Sequence, residues 1–518
     1  VNPPLHIVYF KRDLRTLDHA PLYRAAAAAS ADQSAVLPLY LIEPSLLSAP
    51  DFAGRHYTFI RQSLIELRHR LATLGSPLVV RTSEAVSAFT TLLAKFDVRA
   101  VYAHEETGNH LTYQRDRALR RLFQQASIPF HEYPQSGVVR RLRSRTGWAQ
   151  NWEARMAQPV IPEPEYLPAP ASIPPGPIPT HQDLNLHPDT LLNPQSPGPA
   201  AAHDTLHSFL NTRGHRYHAE ISSPLTAEHS CSRLSPYLAY GNLSMKQVIQ
   251  TTRKAPAHCP SHRRALRAFD SRLHWHCHFI QKLESQPDIE FHNFIRHLDG
   301  LREPHFNQSY FDAWATGHTG YPMIDAAMRM LIATGWINFR MRAMLISFAA
   351  YDLFLHWRQP ALHLARLFTD YEPGIHYPQC QMQSGTTGIN TLRTYCPTKQ
   401  QLDHDPTGHF VRRWIPELAR LPLPCLFEPW KTPAEIQRSA DCVIGQHYPA
   451  PIVNHKLAVA TARQRIHTLR QSLPARQQAD QVQAQHGSKK SGLRQIRRPR
   501  SKPTPSVPSL FDQYSPHS

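Results

Sequence analysis

The sequence predicts an α/β, doubly wound parallel-sheet domain at the N-terminal end, followed by a large all-α domain. Three observations carry this reading. Short β-branched and aromatic runs alternate with helical patterns over the first part of the chain, apolar residues at helical spacing dominate from about residue 203, and a proline-rich stretch separates the two.

The chain has 518 residues, long enough for two or three domains that each bury a core. HIVYF (6–10) opens it, KRDLR follows, and an alanine-rich helical pattern runs from Pro21 to Ala29. VLPLYLI (36–42), PLVVR (77–81) and VRAVYAH (98–104) repeat the arrangement with helix-like segments between them. Runs this apolar fit a parallel sheet covered on both faces, so 1–140 is assigned to the first domain. Residues 158–199 contain thirteen prolines and few large apolar side chains. They read as an extended, partly polyproline-like linker, placed at 141–202. Helical patterning resumes at HDTLHSFL, and 203–470 is assigned to the helical domain. The remainder, 471–518, reads as a basic disordered tail, with seven Lys/Arg and no acid between Lys489 and Lys502.

Composition narrows the partners. With 57 Lys+Arg against 39 Asp+Glu, the formal net charge is +18 and the pI about 9.8. Such an excess favours a polyanion, nucleic acid first, against the plainer account of a solubilising tail. Seven cysteines are scattered with no C-x-x-C pair, which reads as a reduced, intracellular protein and argues against an iron–sulfur cluster. With no charged-then-apolar leader and no run of eighteen apolar residues, neither secretion nor membrane spanning is expected.

The most specific stretch is 311–415. Ile324, Met328, Leu331 and Ile332 recur at helical spacing, and Gly335 followed by Trp336 punctuates two helices. Arg340 and Arg342 interrupt an otherwise apolar helix, and Asp370 and Glu372 come one helix later. A buried guanidinium needs a carboxylate or an anionic ligand. Spacing alone leaves open an internal Arg–Asp pair and a cofactor site.

GYPMIDAAMRMLIATGW, the Arg-x-Arg after it, Trp357 thirteen residues before Asp370, and DPTGHFVRRWIPEL together resemble the flavin-binding domain of the photolyase/cryptochrome family. FKRDLRTLDHAPL, with Arg12, Asp13, Arg15 and Asp18, resembles that family's opening, where such charges are structural. The resemblance runs from the first strand to about residue 435. It implies an all-α FAD-binding domain whose central cavity holds a U-shaped FAD, with a flipped DNA lesion entering beside it. On that alignment Arg342, Asp370 and Glu372 hold the isoalloxazine edge and the ribose region, and Phe339, Tyr371 and His376 fall at cofactor-contacting positions. CSRLSPYLAYGNLS resembles the family's pyrophosphate-holding segment, which supplies Ser232, Arg233, Leu234 and Ser235, with Cys231 in place of a threonine. Apart from the resemblance, the serines near a helix start are either anion donors or plain caps. Tyr217 matches a tyrosine that contacts the cofactor.

The DNA contacts implied are Arg272, Trp275, Arg340 and Gln400, with Trp275 packing against the flipped pyrimidines. His274 and His278 share a helical face that would suit zinc, but no third ligand is spaced to join them, and no metal is assigned. Several positions depart from the family pattern. Arg272 stands where a glutamate donates to the lesion, Phe339 replaces an asparagine and Ala343 a methionine. His376 replaces the asparagine beside flavin N5 and would change charge near neutral pH. Of the family's three-tryptophan relay only Trp357 remains, with Cys380 inside and Pro304 outside it; Tyr377, Tyr395, Trp336 and Met382 are the candidate substitutes. A second, antenna chromophore is left unidentified, because Thr112 stands where folate-using relatives have a pterin-binding glutamate.

The resemblance implies a cytoplasmic monomer, nucleoid-associated if bacterial, that binds DNA. It would act as a blue-light-driven lyase repairing pyrimidine photoproducts by electron transfer, with Arg272, Trp275, Trp357 and His376 as its catalytic set. The alternative is a cryptochrome-like FAD photoreceptor without repair activity, and a third is a nucleic-acid binder with this fold but no photochemistry.

Overall fold

The computed structural model describes residues 4–170, 172–257, 259–389 and 392–487. Five parallel strands, β1 (Leu5–Phe10), β2 (Ala35–Ile42), β3 (Val79–Thr82), β4 (Val98–His104) and β5 (Phe130–Tyr133), stand in the order β3-β2-β1-β4-β5. The order reverses direction at β1, and open α/β sheets present their ligand crevice at such a point, beyond the strands' C-terminal ends. Helices α1 (Ala20–Asp32), α2 (Gly54–Thr73), α3 (Ala85–Lys95) and α4 (His110–Gln125) cover both faces. Successive β1 side chains point to opposite sides: Val8 and Phe10 pack with Leu22, Leu64 and Leu67, whereas Ile7 and Tyr9 pack with Phe89, Leu119 and Phe123. The doubly wound expectation holds. β5 was not singled out in the sequence because it is four residues long with no fully buried position.

The charged run after β1 docks the two domains. Arg12 Nε donates to Ala239 O at 2.8 Å, Arg15 Nη1 to Gly241 O at 3.0 Å, and Lys246 Nζ lies 2.7 Å from Asp18 Oδ1. Gly241, at φ +70°, is required there, since a Cβ would sit 2.3 Å from Arg12 O.

Two expected boundaries change. Helix α5 (Trp148–Met156) lies within the segment read as linker, because Trp148, Trp152 and Met156 form a buried stripe at i, i+4, i+8. Part of the proline-rich stretch lies along the first domain, with Tyr57 donating to Pro179 O (2.7 Å) and Arg68 Nη1 to Gly176 O (2.9 Å), and its end meets the helical domain, with Leu192 N donating to Ala333 O (2.7 Å).

The site-forming helices are α6 (Ser235–Ala239), α7 (Pro260–Ser285), α8 (Pro322–Thr334), α9 (Phe339–Ser347), α10 (Arg358–Leu367), α11 (Pro373–Ser384) and α12 (Pro397–His404), followed by α13 (His455–Arg470) and α14 (Leu473–His486). α14 occupies the start of the segment read as a disordered tail: its Ala475, Val482 and His486 are buried, and Val482 packs with Leu283, Ile289 and Phe294. Residues 488–518, the basic part of that expectation, lie outside the described residues. α11 lies so close along α7 that a Cβ on Gly374 would come within 2.8 Å of Ile280 Cα. Asp325 of the GYPMID motif accepts from Thr319 N (2.8 Å), Thr319 Oγ1 (2.6 Å), Gly320 N (3.0 Å) and Tyr448 Oη (2.5 Å), which makes it the clamp of its loop. Among the described residues no helix is long and apolar enough to cross a membrane.

Candidate functional site

The left-handed Gly335, at φ +72°, ends α8 and turns the chain into α9, so that Arg342 meets the segment before α11. Arg342 Nη2 donates to Asp370 Oδ2 at 2.8 Å and Nε to Ile337 O at 2.9 Å, while its guanidinium lies 4.1 Å from the Phe368 ring centroid. Burial alone would raise the Asp370 pKa, but Arg342, with Ser235 and Arg233 nearby, outweighs it and holds the carboxyl below its usual range. The Asp370 side chain is 2 % exposed and that of Arg342 is 26 %. Asp370 Oδ1 is buried with no hydrogen-bond partner. An orphaned carboxylate oxygen beside a partly open guanidinium suits a ligand that offers an N–H to one and an oxygen to the other. The edge of a flavin ring does both, so these residues fit FAD.

Beside this pair, the Arg233 guanidinium lies 4.0 Å from the Trp336 ring centroid, and Arg233 itself sits at φ 59°. The segment around it is held by Arg213, which the sequence reading missed: Arg213 Nη2 donates to Ser232 O at 2.5 Å and Nη1 donates to Cys231 O. Ser232 Oγ accepts from Leu234 N at 3.4 Å, and the Leu234 side chain is in the core. Ser235 begins α6, which has only five residues. A helix this short has little macrodipole, so an anion placed here would have to be met by Arg233 and the serine hydroxyls.

Glu372 faces the first domain, with Oε2 3.1 Å from Arg12 Nη2, and Arg12 Nη2 also donates to Tyr371 O at 2.9 Å. Arg12, Gln135, Leu238, Ala239, His276 and Glu372 line a narrow cavity between the domains. Arg12 and His276 are the functional candidates that pattern reading passed over, since one lies 360 residues from its partner and the other looks like one more histidine in SRLHWHCHF.

On the opposite side, Tyr217 is buried within hydrogen-bonding reach of Arg272, whose guanidinium lies 6.0 Å from the Phe339 ring centroid. Phe339 is 44 % exposed. Trp275, one turn along α7 from Arg272, is half-buried and meets His278 edge-on (4.9 Å) and Phe279 at a tilt (5.8 Å). Arg340 Nη2 donates to Ser222 Oγ at 3.4 Å and its guanidinium lies 5.9 Å from the Tyr395 ring centroid. Gln400, on α12, is buried with Oε1 unpartnered. Arg272, Phe339 and Tyr217 are thus brought together, as are Arg340 and Tyr395.

His376 Nε2 donates to Ala361 O at 2.8 Å, and burial lowers its pKa to about 4. The expected change of charge near neutral pH is therefore overturned: His376 stays neutral there. Trp357 is fully buried, with Nε1 donating to Asn293 Oδ1 at 2.8 Å. It is not isolated, as loss of its two relay partners implied. Tyr377 meets it edge-on at 6.3 Å, Tyr377 and Tyr371 share a hydroxyl contact of 3.1 Å, and Tyr371 Oη donates to Asp51 Oδ2 at 2.7 Å. Of the candidate substitutes, Trp336 and Tyr395 pack against arginines elsewhere, and Tyr377 is the one beside Trp357.

His274 meets Trp148 and Trp152 edge-on at 5.1 and 4.9 Å. Among the described residues one trio, Asp13, His19 and His104, has metal-ligand spacing. His19 Nδ1 accepts from Leu22 N (3.1 Å), so its Nε2 carries the proton it donates to Asp13 Oδ2 (2.9 Å), and no lone pair is left for a metal.

Residues 6–149 match the family model described as DNA photolyase, and residues 269–468 match the FAD binding domain of DNA photolyase. The chain is 27 % identical to the deoxyribodipyrimidine photo-lyase of Alkalihalophilus pseudofirmus, over 87 % of this chain and 95 % of that one. It is also 27 % identical to the cryptochrome DASH of Gloeobacter violaceus, over 86 % and 93 % of the two chains. The crystal structure of an archaeal photolyase from Sulfolobus tokodaii with two FAD molecules superposes with a TM-score of 0.74 at 26 % identity, covering 90 % of this chain and all (100 %) of that one. Both halves of the chain and the arrangement of their elements agree: the protein belongs to the DNA photolyase/cryptochrome family.

Proposed function

We propose that this protein holds FAD between Arg342, Asp370, Arg233 and the Arg12–Glu372 pair, and uses blue light to repair pyrimidine photoproducts in DNA. The observation that carries the reading is Asp370, whose carboxylate is held charged by Arg342 while one of its oxygens remains without a partner. When bound and reduced, FAD supplies the light-driven electron that splits the fused pyrimidines. The chain's own residues do the rest. Asp370 and Arg342 orient the ring, Trp275 offers an aromatic face to a splayed base, and Arg272 places a fixed cation where negative charge develops. Trp357, Tyr377 and Tyr371 form a line of oxidisable side chains toward Asp51, which can take the tyrosine proton. His376 contributes a neutral ring on this side.

DNA as partner, a cytoplasmic setting and a monomeric state belong to this reading, as does an antenna chromophore of unspecified type at the strand ends; the second FAD of the Sulfolobus tokodaii protein supports a second chromophore. The competing photoreceptor reading is favoured by one observation, an exposed Arg272 within reach of Tyr217 and beside Phe339, where the resemblance implies the lesion-donating glutamate. Blue-light treatment of oligonucleotides carrying a defined cyclobutane or 6-4 lesion, with chemically pre-reduced holoprotein, decides between them. Loss of the lesion supports repair, and an unchanged lesion with flavin bound and reduced supports the photoreceptor.

A further inference from the structure

Three chemistry-bearing side chains outside the flavin and DNA contact set converge at the start of α12, one turn from Gln400. Cys396 is half-buried at the N-cap of α12, His455 opens α13, and Asp352 closes the π-helical turn Phe348–Asp352. His455 Nδ1 donates to Asp352 Oδ1 at 2.5 Å, and the Asp352 side chain is 1 % exposed. The Cys396 thiol lies within hydrogen-bonding reach of the same ring. The His455 backbone N–H donates to Tyr321 Oη at 3.1 Å, and Tyr321 Oη donates to Val453 O at 2.8 Å, so the start of α13 is fixed. The same sulfur lies within reach of the Thr398 and Lys399 backbone N–H groups in the first turn of α12, which favour a thiolate there.

We propose that Cys396 is a nucleophilic thiol, deprotonated by His455 and oriented through Asp352, that reacts with small electrophiles and with hydroperoxides first among them. A base within reach of a nucleophile, itself held by a third group, is the arrangement that activates thiols on unrelated folds. In the resting site the Cys396 proton already sits on His455, so the sulfur meets the electrophile as a thiolate beside an imidazolium. The thiolate attacks the terminal peroxide oxygen, an S–O bond forms as the O–O bond breaks, and the leaving alkoxide or hydroxide takes the proton back from His455. The sulfur is oxidised to a sulfenic acid and the hydroperoxide is reduced to an alcohol or water.

The electrostatics agree. The hydrogen bond to His455 lowers the Cys396 pKa. Burial opposes charge on His455, yet Asp352 and Cys396 together raise its pKa to about 9, while burial takes Asp352 to about 6. At neutral pH the pair is therefore imidazolium and carboxylate. The other ionisable group facing the thiol, Tyr321, is kept neutral by burial, with its pKa at about 12. Burial pushes the Cys231 thiol up to about 12, and Cys380 is raised by burial as well, so the core cysteines are poor nucleophiles.

The test uses the full-length protein, with exposed Cys259 as the internal reference. Iodoacetamide labelling across pH, read by peptide mass mapping, should give Cys396 a lower pH midpoint than Cys259. Hydrogen peroxide followed by a dione trap should mark a sulfenic acid at Cys396 before Cys259. In His455→Gln and Asp352→Asn the Cys396 midpoint should rise while that of Cys259 stays. Should either variant fail to fold, the two wild-type comparisons still decide. A Cys396 midpoint equal to or above that of Cys259, or one that does not move in a folded His455→Gln protein, overturns the proposal.

Discussion

The two sides of the helical domain differ in how closely they keep the family's charges. On the cofactor side, Asp370 is held by Arg342 and Glu372 by Arg12, so the acids expected from the resemblance are present and charge-paired. On the substrate side, Arg272 and Phe339 stand together at two changed positions, and the relay keeps one tryptophan joined to tyrosines. A cofactor of fixed shape needs a fixed set of donors and acceptors. A flipped base can be met by several combinations of aromatic and cationic side chains, which is why one side can change while the other does not.

The largest effect that would break this contrast is expected at Asp370. Asp370→Ala leaves Arg342 and Arg233 without their carboxylate, and losing one partner of such a pair costs roughly 3–5 kcal/mol. The variant should lose FAD on desalting and melt well below the wild type; full flavin retention would place the cofactor elsewhere. Next in size is electron supply. Light with an external reductant should reduce the bound flavin quickly, and both Trp357→Phe and Tyr377→Phe should slow it severely. If either variant is reduced at the wild-type rate, the electron path does not run through that side chain.

Acid sharpens the comparison at the level of the whole molecule. Burial lowers His56, His276, His363 and His376 each to about 4. The unfolded chain takes up these protons first, near the free value of about 6.5, so the stability they contribute is present above that pH and is lost as pH falls toward 4. Glu284 and Glu290, raised to about 7, Asp352, raised to about 6, and His455, raised to about 9, act in the opposite direction, but burial lowers His104, His278 and His486 as well. The melting temperature should therefore drop by several degrees between pH 7 and 4.5, and a flat profile would show that the histidines are charged in the fold. The smallest effect concerns residues 488–518. Removing them should weaken DNA binding modestly and reduce its salt dependence, since each phosphate contact contributes a slope of about one. Equal affinity and slope with and without the segment would leave the tail without a DNA role.

Sequence patterning located the four longest-reading strands, the helical domain and the need for an acid or anion beside Arg340 and Arg342, because each depends on residues close in the chain or on charge buried in an apolar run, and the resemblance singled out Arg342 and Asp370. It did not show Arg12 joining Glu372 or Tyr377 joining Trp357, because these contacts are made by domain docking and by the packing of α11. Its view of His376 as a near-neutral switch failed for a related reason: burial and a backbone carbonyl set that pKa, and neither is written in local sequence. The linker and tail boundaries moved because α5 and α14 each bury a few side chains within otherwise polar or proline-rich surroundings.

The claim on which the account rests is that the cofactor side is complete. Protein stripped of flavin, incubated with excess FAD and passed through a desalting column tests it directly, with absorbance read against protein concentration. The account predicts near-stoichiometric retained FAD in the wild type and in Arg272→Ala, and loss of it in Asp370→Ala. A colourless wild-type protein after desalting would contradict it.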